Sequence, residues 1–265
     1  MKAGKTRILL CEPVPAMESE PEPKHRSYWK KTLEKVGRPD TTLDFINISQ
    51  GYMGLSSYEQ LFGSVEMVKR ACQAEKQGYD AFIIGCASDM ALVECRSMVS
   101  IPVIAPTEAC SYIAATLGYK FSIIDLQYAT RPVIEGAVRN TGLLSKLASI
   151  RSPEGMDAAK SAKLTSEDPL KAVQVYRSEM KKAIVEDGAE ALIVSCMLTS
   201  AFLTEHGLYE VDGVPIIDLL AGSLKMAEIM IDLHREYGTK VCKNTVYRAP
   251  SPGWDKDLPL QVGGS

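Results

Sequence analysis

Two cysteines, Cys86 and Cys196, stand at matching places in two similar stretches of the chain. Gly78-Tyr79-Asp80-Ala81-Phe82-Ile83-Ile84-Gly85-Cys86 parallels Gly188-Ala189-Glu190-Ala191-Leu192-Ile193-Val194-Ser195-Cys196 in length and pattern. A thiol of moderately lowered pKa carries protons well near neutral pH. With a thiolate on one face of a carbon and a thiol on the other, a stereocentre can be inverted. The first removes the proton, a planar carbanion or enolate forms, and the second returns a proton from the opposite side. That chemistry needs two bases at mirrored positions, which a duplicated lobe supplies. A strand-end cysteine by itself is more often a small buried hydrophobe. The matched pair is what turns the reading toward function.

The residues after each cysteine are small or polar. Ala87, Ser88 and Asp89 follow the first; Met197 and Leu198, then Thr199 and Ser200, follow the second. Asp89 and Thr199 read as N-caps of the next helices. Amides at a helix start attract anions and lower a nearby thiol pKa. They could also hold a substrate oxygen while negative charge builds there.

Other residues carry a sharp and a bland reading side by side. Glu12 could bind a substrate amine or urea nitrogen, although such a residue more often caps or solvates a loop. Thr130 and Arg131 could pair with a carboxylate, Arg being suited to two-point contact; the alternative is a solvated surface charge. His206 could assist Cys196, but His206-Gly207 also reads as an ordinary helix end. The turn Gln50-Gly51-Tyr52-Met53-Gly54 shapes a pocket mouth or only joins strand to helix. Cys11, Cys72, Cys95, Cys110 and Cys242 read as packing residues.

The elements that must position these side chains follow from hydrophobic patterning. Short apolar runs, several of them continuous Ile/Val/Leu, predict strands at 6–11, 43–48, 80–85, 101–105, 120–124, 146–151, 190–195 and 214–217. Runs without polar alternation mark strands buried on both faces, as in parallel sheets covered by helices. Helical patterns fall between them, at 24–36, 57–77, 89–98, 108–117, 130–141, 168–187, 199–206 and 220–237. Gly78 and Gly188 end the two long helices that precede the repeated strands. The polar stretch 152–168 predicts a loop or a short irregular element, and 249–265 an irregular tail.

This alternation predicts an α/β protein of two pseudo-symmetric flavodoxin-like or Rossmann-like lobes. Each lobe has a central parallel sheet flanked by helices. One lobe spans 1–116, with 220–265 packing back on it; the other spans 117–219. Ligands in such sheets bind at the carboxyl ends of strands, which places an active site between the lobes with thiol facing thiol. The repeat loosens after the cysteines: Pro102 lies 16 residues beyond Cys86, and Pro215 lies 19 beyond Cys196.

Bulk properties narrow the classes. Of 265 residues, 46% are hydrophobic and 24% charged, as in ordinary globular proteins. The net charge of −3 comes from scattered Lys, Arg, Asp and Glu, which gives no footprint for nucleic acid. No apolar run reaches the roughly 18 residues of a membrane span. The apolar stretch 6–11 is too short for a signal-peptide core and reads as a buried strand. Seven cysteines without CxxC spacing argue against a disulfide framework or a zinc site, and for reduced thiols in the cytoplasm. Three histidines without HxxxH spacing argue against a histidine-rich metal site.

On these residues the chain resembles the aspartate/glutamate/hydantoin racemase superfamily, most closely its hydantoin racemase branch. The resemblance runs from about Leu43 to about Leu220. It rests on 78–89, on Ile101-Pro102-Val103-Ile104-Ala105-Pro106-Thr107-Glu108-Ala109, on 117–124 and on 188–196. It implies a racemase without a cofactor, with a cysteine from each lobe as acid and base, a small-molecule substrate and a homo-oligomer. Position by position, Cys86 and Cys196 match the catalytic pair. Ser88 and Asp89 fall in the turn after the first cysteine, beside Ala87. Glu108 falls in the family's Glu-Ala pair at the next helix start. The chain departs from the branch in three places. Its first loop reads Cys11-Glu12-Pro13-Val14-Pro15-Ala16 where relatives have an Asn-Pro-Asn-Ser/Thr type, a loop that touches substrate, which makes Glu12 and Pro13 substrate-side candidates. Asp125-Leu126-Gln127, then Thr130, replace a Thr-rich turn. Met197-Leu198 replace a small pair, which predicts a more apolar reaction face.

Three other readings compete. A maleate-type isomerase of the same fold also uses two cysteines, and a decarboxylase uses one. A two-lobed binding module would close on a ligand without chemistry. A redox pair is disfavoured, because cysteines flanking a substrate stand too far apart to bond.

Overall fold

The structure, a computed structural model, describes residues 5–16, 23–49 and 56–253. The turn at 50–54 and the end of the tail from 254 lie outside the described residues. In chain order the elements begin with β1 (Thr6–Glu12), α1 (Lys24–Val36), β2 (Thr41–Asn47), α2 (Ser57–Lys76), β3 (Ala81–Ile84), α3 (Leu92–Met98) and β4 (Val103–Ile104). Then come α4 (Pro106–Leu117), β5 (Phe121–Asp125), α5 (Arg131–Asn140), β6 (Leu147–Arg151), α6 (Ala158–Glu167) and α7 (Pro169–Asp187). The last are β7 (Ala191–Ser195), α8 (Met197–Glu205), β8 (Glu210–Val211), β9 (Val214–Ile217) and α9 (Leu219–Tyr237).

Two compact units result. Of the described residues, the first holds 5–16, 37–49, 56–105 and 224–253; the second holds 23–36 and 106–223. In the first, four parallel strands run in the order β2-β1-β3-β4. In the second the order is β6-β5-β7-β9, with β8 antiparallel at the edge. The two units thus share one strand plan: β1 corresponds to β5, β2 to β6, β3 to β7 and β4 to β9.

The central strands β3 and β7 are buried along their whole length, as continuous apolar runs require. Phe82 and Ile84 pack with Leu9, Met67 and Cys95 in the first unit. Leu192 and Val194 pack with Ile124, Tyr176 and Phe202 in the second. The acid of each repeat stitches the start of its strand to the neighbouring one. Asp80 takes the Arg7 amide on its side chain at 2.8 Å and gives its own amide to the Arg7 carbonyl at 2.7 Å. Glu190 takes the Tyr119 amide at 2.6 Å and gives its amide to the Lys120 carbonyl at 2.9 Å. Arg7 and Lys120 correspond in register, so the side chain longer by one methylene reaches one residue further back.

Two expectations are corrected, and one hairpin is added to them. The stretch 152–168 is not irregular: it contains α6, capped by the Asp157 side chain on the Lys160 amide at 2.8 Å. The helix is polar, and its one buried residue, Ser161, is anchored by its hydroxyl to the Tyr176 hydroxyl at 2.7 Å. The strand expected at 101–105 is only β4, because Pro102 has no N–H for a ladder and supplies only its carbonyl, to the Phe82 amide at 2.9 Å. The hairpin β8–β9 went unread although Asp212-Gly213 signals it: both residues have positive φ, 50° and 81°, as a tight primed turn demands.

Candidate active site

Each unit carries its cysteine just past the carboxyl end of its central strand. In both, the chain order reverses beside that strand, the place where open α/β sheets bind ligands.

In the first unit β3 leaves the sheet at Gly85, whose amide donates to the Cys11 carbonyl at 2.8 Å. A Cβ there would come within 2.5 Å of that same oxygen, so glycine is what lets the backbone pass so close. Cys86 follows, partly buried, its Sγ 3.0 Å from Ser88 Oγ. The turn closes with the Asp89 amide on the Cys86 carbonyl at 3.0 Å. Asp89 and Ala91 both take left-handed backbone, with φ 52° and 58°. Asp89 therefore does not cap the next helix. α3 starts at Leu92, after left-handed Ala91, without a side-chain cap. Ala87 is buried beneath the turn, while Ser88 and Asp89 are half-buried.

Glu12 ends β1 beside this turn and is only 3% exposed. Pro13 continues from it, half-buried, and the loop is held by the Asn47 side-chain amide on the Val14 carbonyl at 2.9 Å. Cys11 is buried, and burial pushes its thiol far above the ordinary range. Cys95, also buried, is raised for the same reason. Both behave as packing residues.

In the second unit β7 ends at Ser195, paired in register with Asp125 at the end of β5. Cys196 is partly buried, with φ 153° and ψ 116°. An L-residue rarely adopts that backbone, which costs about 1–3 kcal/mol and persists only where its surroundings enforce it. α8 begins at the next residue, so Cys196 itself takes the N-cap position. Thr199 is thus inside the first turn rather than a cap. Met197, the first helical residue, is buried, and its carbonyl accepts the Trp29 indole N–H at 3.3 Å.

Burial pushes the Cys196 thiol up. The Thr199 and Leu198 amides pull it down, and the Asp125 carboxylate raises it again. Asp125 is 3% exposed and is itself raised by burial; hydrogen bonds from Thr130, the Leu126 amide and Ser195 oppose that. The Leu126 amide lies at 2.8 Å. Thr130 spends its hydroxyl within this turn, on Asp125 and on the Gln127 carbonyl. Tyr176 is fully buried behind Cys196, its phenol pushed up to about 12 by burial.

Of the remaining candidates, Glu108 is half-buried in the first turn of α4 and Arg131 is exposed at the start of α5. His206 ends α8, exposed, with Nδ1 on the Phe202 carbonyl at 2.8 Å and its ring against Phe202. It is the ordinary helix end. The first unit therefore gathers Glu12, Pro13 and 86–89; the second gathers Thr130, Cys196, Met197 and Thr199. Asp125 and Tyr176 were missed. Asp125 could have been found by extending the repeat one strand upstream, since β5 ends in an acid as β1 does. Among the described residues no cluster of His, Cys, Asp and Glu could hold a metal, and no helix is long and apolar enough to cross a membrane.

Comparison with known proteins follows the same outline. A family model described as Asp/Glu/Hydantoin racemase matches residues 28–227. A hydantoin racemase of Pseudomonas sp. (strain NS671) is 28% identical over 220 residues, covering 82% of this chain and 83% of the relative. One from Rhizobium meliloti is 32% identical over 165 residues, 62% of this chain and 66% of the relative. The solved allantoin racemase of Pseudomonas fluorescens superposes with a TM-score of 0.77 at 25% identity, over 93% of this chain and 98% of that one.

Proposed function

The chain belongs to the Asp/Glu/hydantoin racemase family, and from that premise we propose that it inverts an acidic carbon next to a carbonyl by passing a proton between Cys86 and Cys196. In kind it is a cofactor-independent racemase or epimerase, an isomerase. The observation that carries the assignment of the two thiols is their equivalence. Each stands one or two residues past the end of the corresponding central strand, β3 or β7, beside the corresponding reversal of strand order.

The chemistry balances without any other reagent. One thiolate takes the proton from the substrate carbon and becomes a thiol, and the electron pair passes into the carbonyl as an enolate. The opposing thiol delivers its proton to the other face and becomes the thiolate. Burial favours the protonated form of Cys196, which suits it to the donor role, and the Ser88 hydroxyl stands within hydrogen-bond reach of the Cys86 sulfur. Amides of the first turn of α8 stabilise charge on the second sulfur as it forms.

A cyclic ureide is the substrate class we favour. The relatives named above act on hydantoin or allantoin by their names. The stretches 85–91 and 195–200 contain no Lys or Arg to pair with a substrate carboxylate. Glu12 and Asp125 end the strands beside the two cysteines, and a carboxylate is the acceptor type that suits ring N–H groups. All seven cysteines are free thiols, which supports a reducing cytoplasmic setting.

The deciding experiment incubates a single enantiomer of 5-substituted hydantoins or allantoin in deuterium oxide. Racemisation with deuterium entering the stereocentre is expected, and Cys86→Ser and Cys196→Ser should each lower turnover on the order of a thousandfold. Exchange that survives both substitutions would assign the proton to other groups.

A further inference from the structure

The backbone at Cys196 is held in a conformation it would not choose, and α8, which starts there, is restrained in turn. On one side the Trp29 indole takes the Met197 carbonyl. On the other stands Asp218, a buried carboxylate that the chemistry above does not use. Its Oδ2 accepts the Thr204 hydroxyl at 2.9 Å and the Ser200 hydroxyl at 3.2 Å. Its Oδ1 accepts the Ala221 amide at 2.8 Å, closing the first turn of α9. The Ser200 hydroxyl also accepts the Leu219 amide at 3.0 Å, so its donor and acceptor capacities are both in use. Ser200 lies one turn beyond Cys196 and Thr204 two turns beyond. One carboxylate therefore pins α8 to the start of α9 through two hydroxyls on the same helical face.

We infer that Asp218 is a positioning residue for Cys196: by fixing α8 it fixes the strained turn, and with it the amides of Leu198 and Thr199 that meet the sulfur. The first unit has a different arrangement. There α3 is held from its far end, by the Lys243 ammonium on the Ser97 and Val99 carbonyls at 3.0 and 2.8 Å. Loss of Asp218 should therefore disturb one cysteine and spare the other. The inference rests on the reading of Cys196 as a proton carrier, but its readout does not depend on turnover.

The test measures iodoacetamide alkylation of Cys86 and Cys196 in the full chain across pH, resolved by peptide mass spectrometry. The groups facing Cys196 from other elements, Asp125 and Tyr176, stay unchanged throughout. In Asp218→Ala the Cys196 pH midpoint should rise and its rate near neutrality fall at least about threefold, with Cys86 unaltered. Turnover should fall by about tenfold or more with KM nearly constant. Asp218→Asn, which keeps an acceptor, should restore part of the loss. Ser200→Ala and Thr204→Val each remove one bond of the staple and give the same readout in milder form should Asp218→Ala not fold. Glu228→Gln, at a carboxylate that joins Thr41 and Arg38 in the first unit, controls for destabilisation alone. An unchanged Cys196 profile in all the Asp218, Ser200 and Thr204 variants, with only a lower melting temperature as in Glu228→Gln, would overturn the inference. A Cys196→Ser variant that still turns over would instead overturn the proton-carrier reading and leave the alkylation result standing.

Discussion

Asp125 closes β5 as Glu12 closes β1, so each cysteine-bearing strand has a buried carboxylate at the end of its neighbour. The register makes them equivalent. Cys11 pairs with Ile84, two residues before Cys86, and Ile124 pairs with Val194, two residues before Cys196. The Asp125 charge raises the Cys196 thiol, so Asp125→Asn should bring the alkylation midpoint of Cys196 to lower pH. Stability gives a second readout. Burial raises the folded pKa of Asp125, so its contribution is most favourable below the ordinary aspartate range and is lost as pH rises through the folded value. Asp125→Asn should therefore gain on the parent in urea titrations as pH rises from the ordinary aspartate range through the raised folded value. A constant difference across that range would contradict the assignment.

Gly85→Ala and Gly136→Ala should move stability in opposite directions. The first forces a methyl into the Cys11 carbonyl, and overpacking of this kind costs about 1–3 kcal/mol. It should also depress turnover, since Cys86 is the next residue. The second adds a methyl in open space inside α5, which helix propensity favours by roughly 0.5–1 kcal/mol. Denaturant midpoints of the two variants check both signs.

Thiol labelling of the native protein should proceed in a fixed order. Cys242 is exposed and should react first; Cys11, Cys95 and Cys110 are buried and should resist until unfolding. Rapid labelling of Cys11 would contradict the tight passage of Gly85 against its backbone. A time course with mass-spectrometric readout distinguishes the cases.

Arg151 ends β6 among three carboxylates: Asp187, Glu186 at 2.6 Å and Glu179 at 3.5 Å. Arg151→Met should cost about 2–4 kcal/mol near neutrality, because Glu179 is largely buried and would lose a partner. The guanidinium holds Asp187 below the usual carboxylate pKa, so this contribution is present above the ordinary range and fades as pH falls through the lowered value. Parent and variant should converge in stability toward acid pH, as guanidinium chloride titrations at several pH values would show.

The sheets were legible because β3 and all but the last residue of β7 are unbroken apolar runs, and the repeat of acid, strand and thiol marked where each central strand ends. The helix starts after the cysteines were not. Asp89 and Thr199 are cap-forming residue types, but α3 and α8 begin where left-handed or strained backbone at Ala91 and Cys196 turns the chain, and residue type alone does not report that. α6 escaped because its anchor is a pair of hydroxyls, Ser161 and Tyr176, with no apolar stripe to reveal it. Asp218 escaped for a similar reason: its role depends on hydroxyls 14 and 18 residues earlier in the chain.

The unlike supports of the two thiols, a serine beside Cys86 and a strained, carboxylate-pinned turn at Cys196, have a kinetic corollary. Mirror-image molecules have equal free energy in water, so no asymmetry of the protein can bias the final mixture. Whatever factor makes one direction faster at saturation must reappear, undiminished, in the substrate concentration that direction needs to reach half its speed.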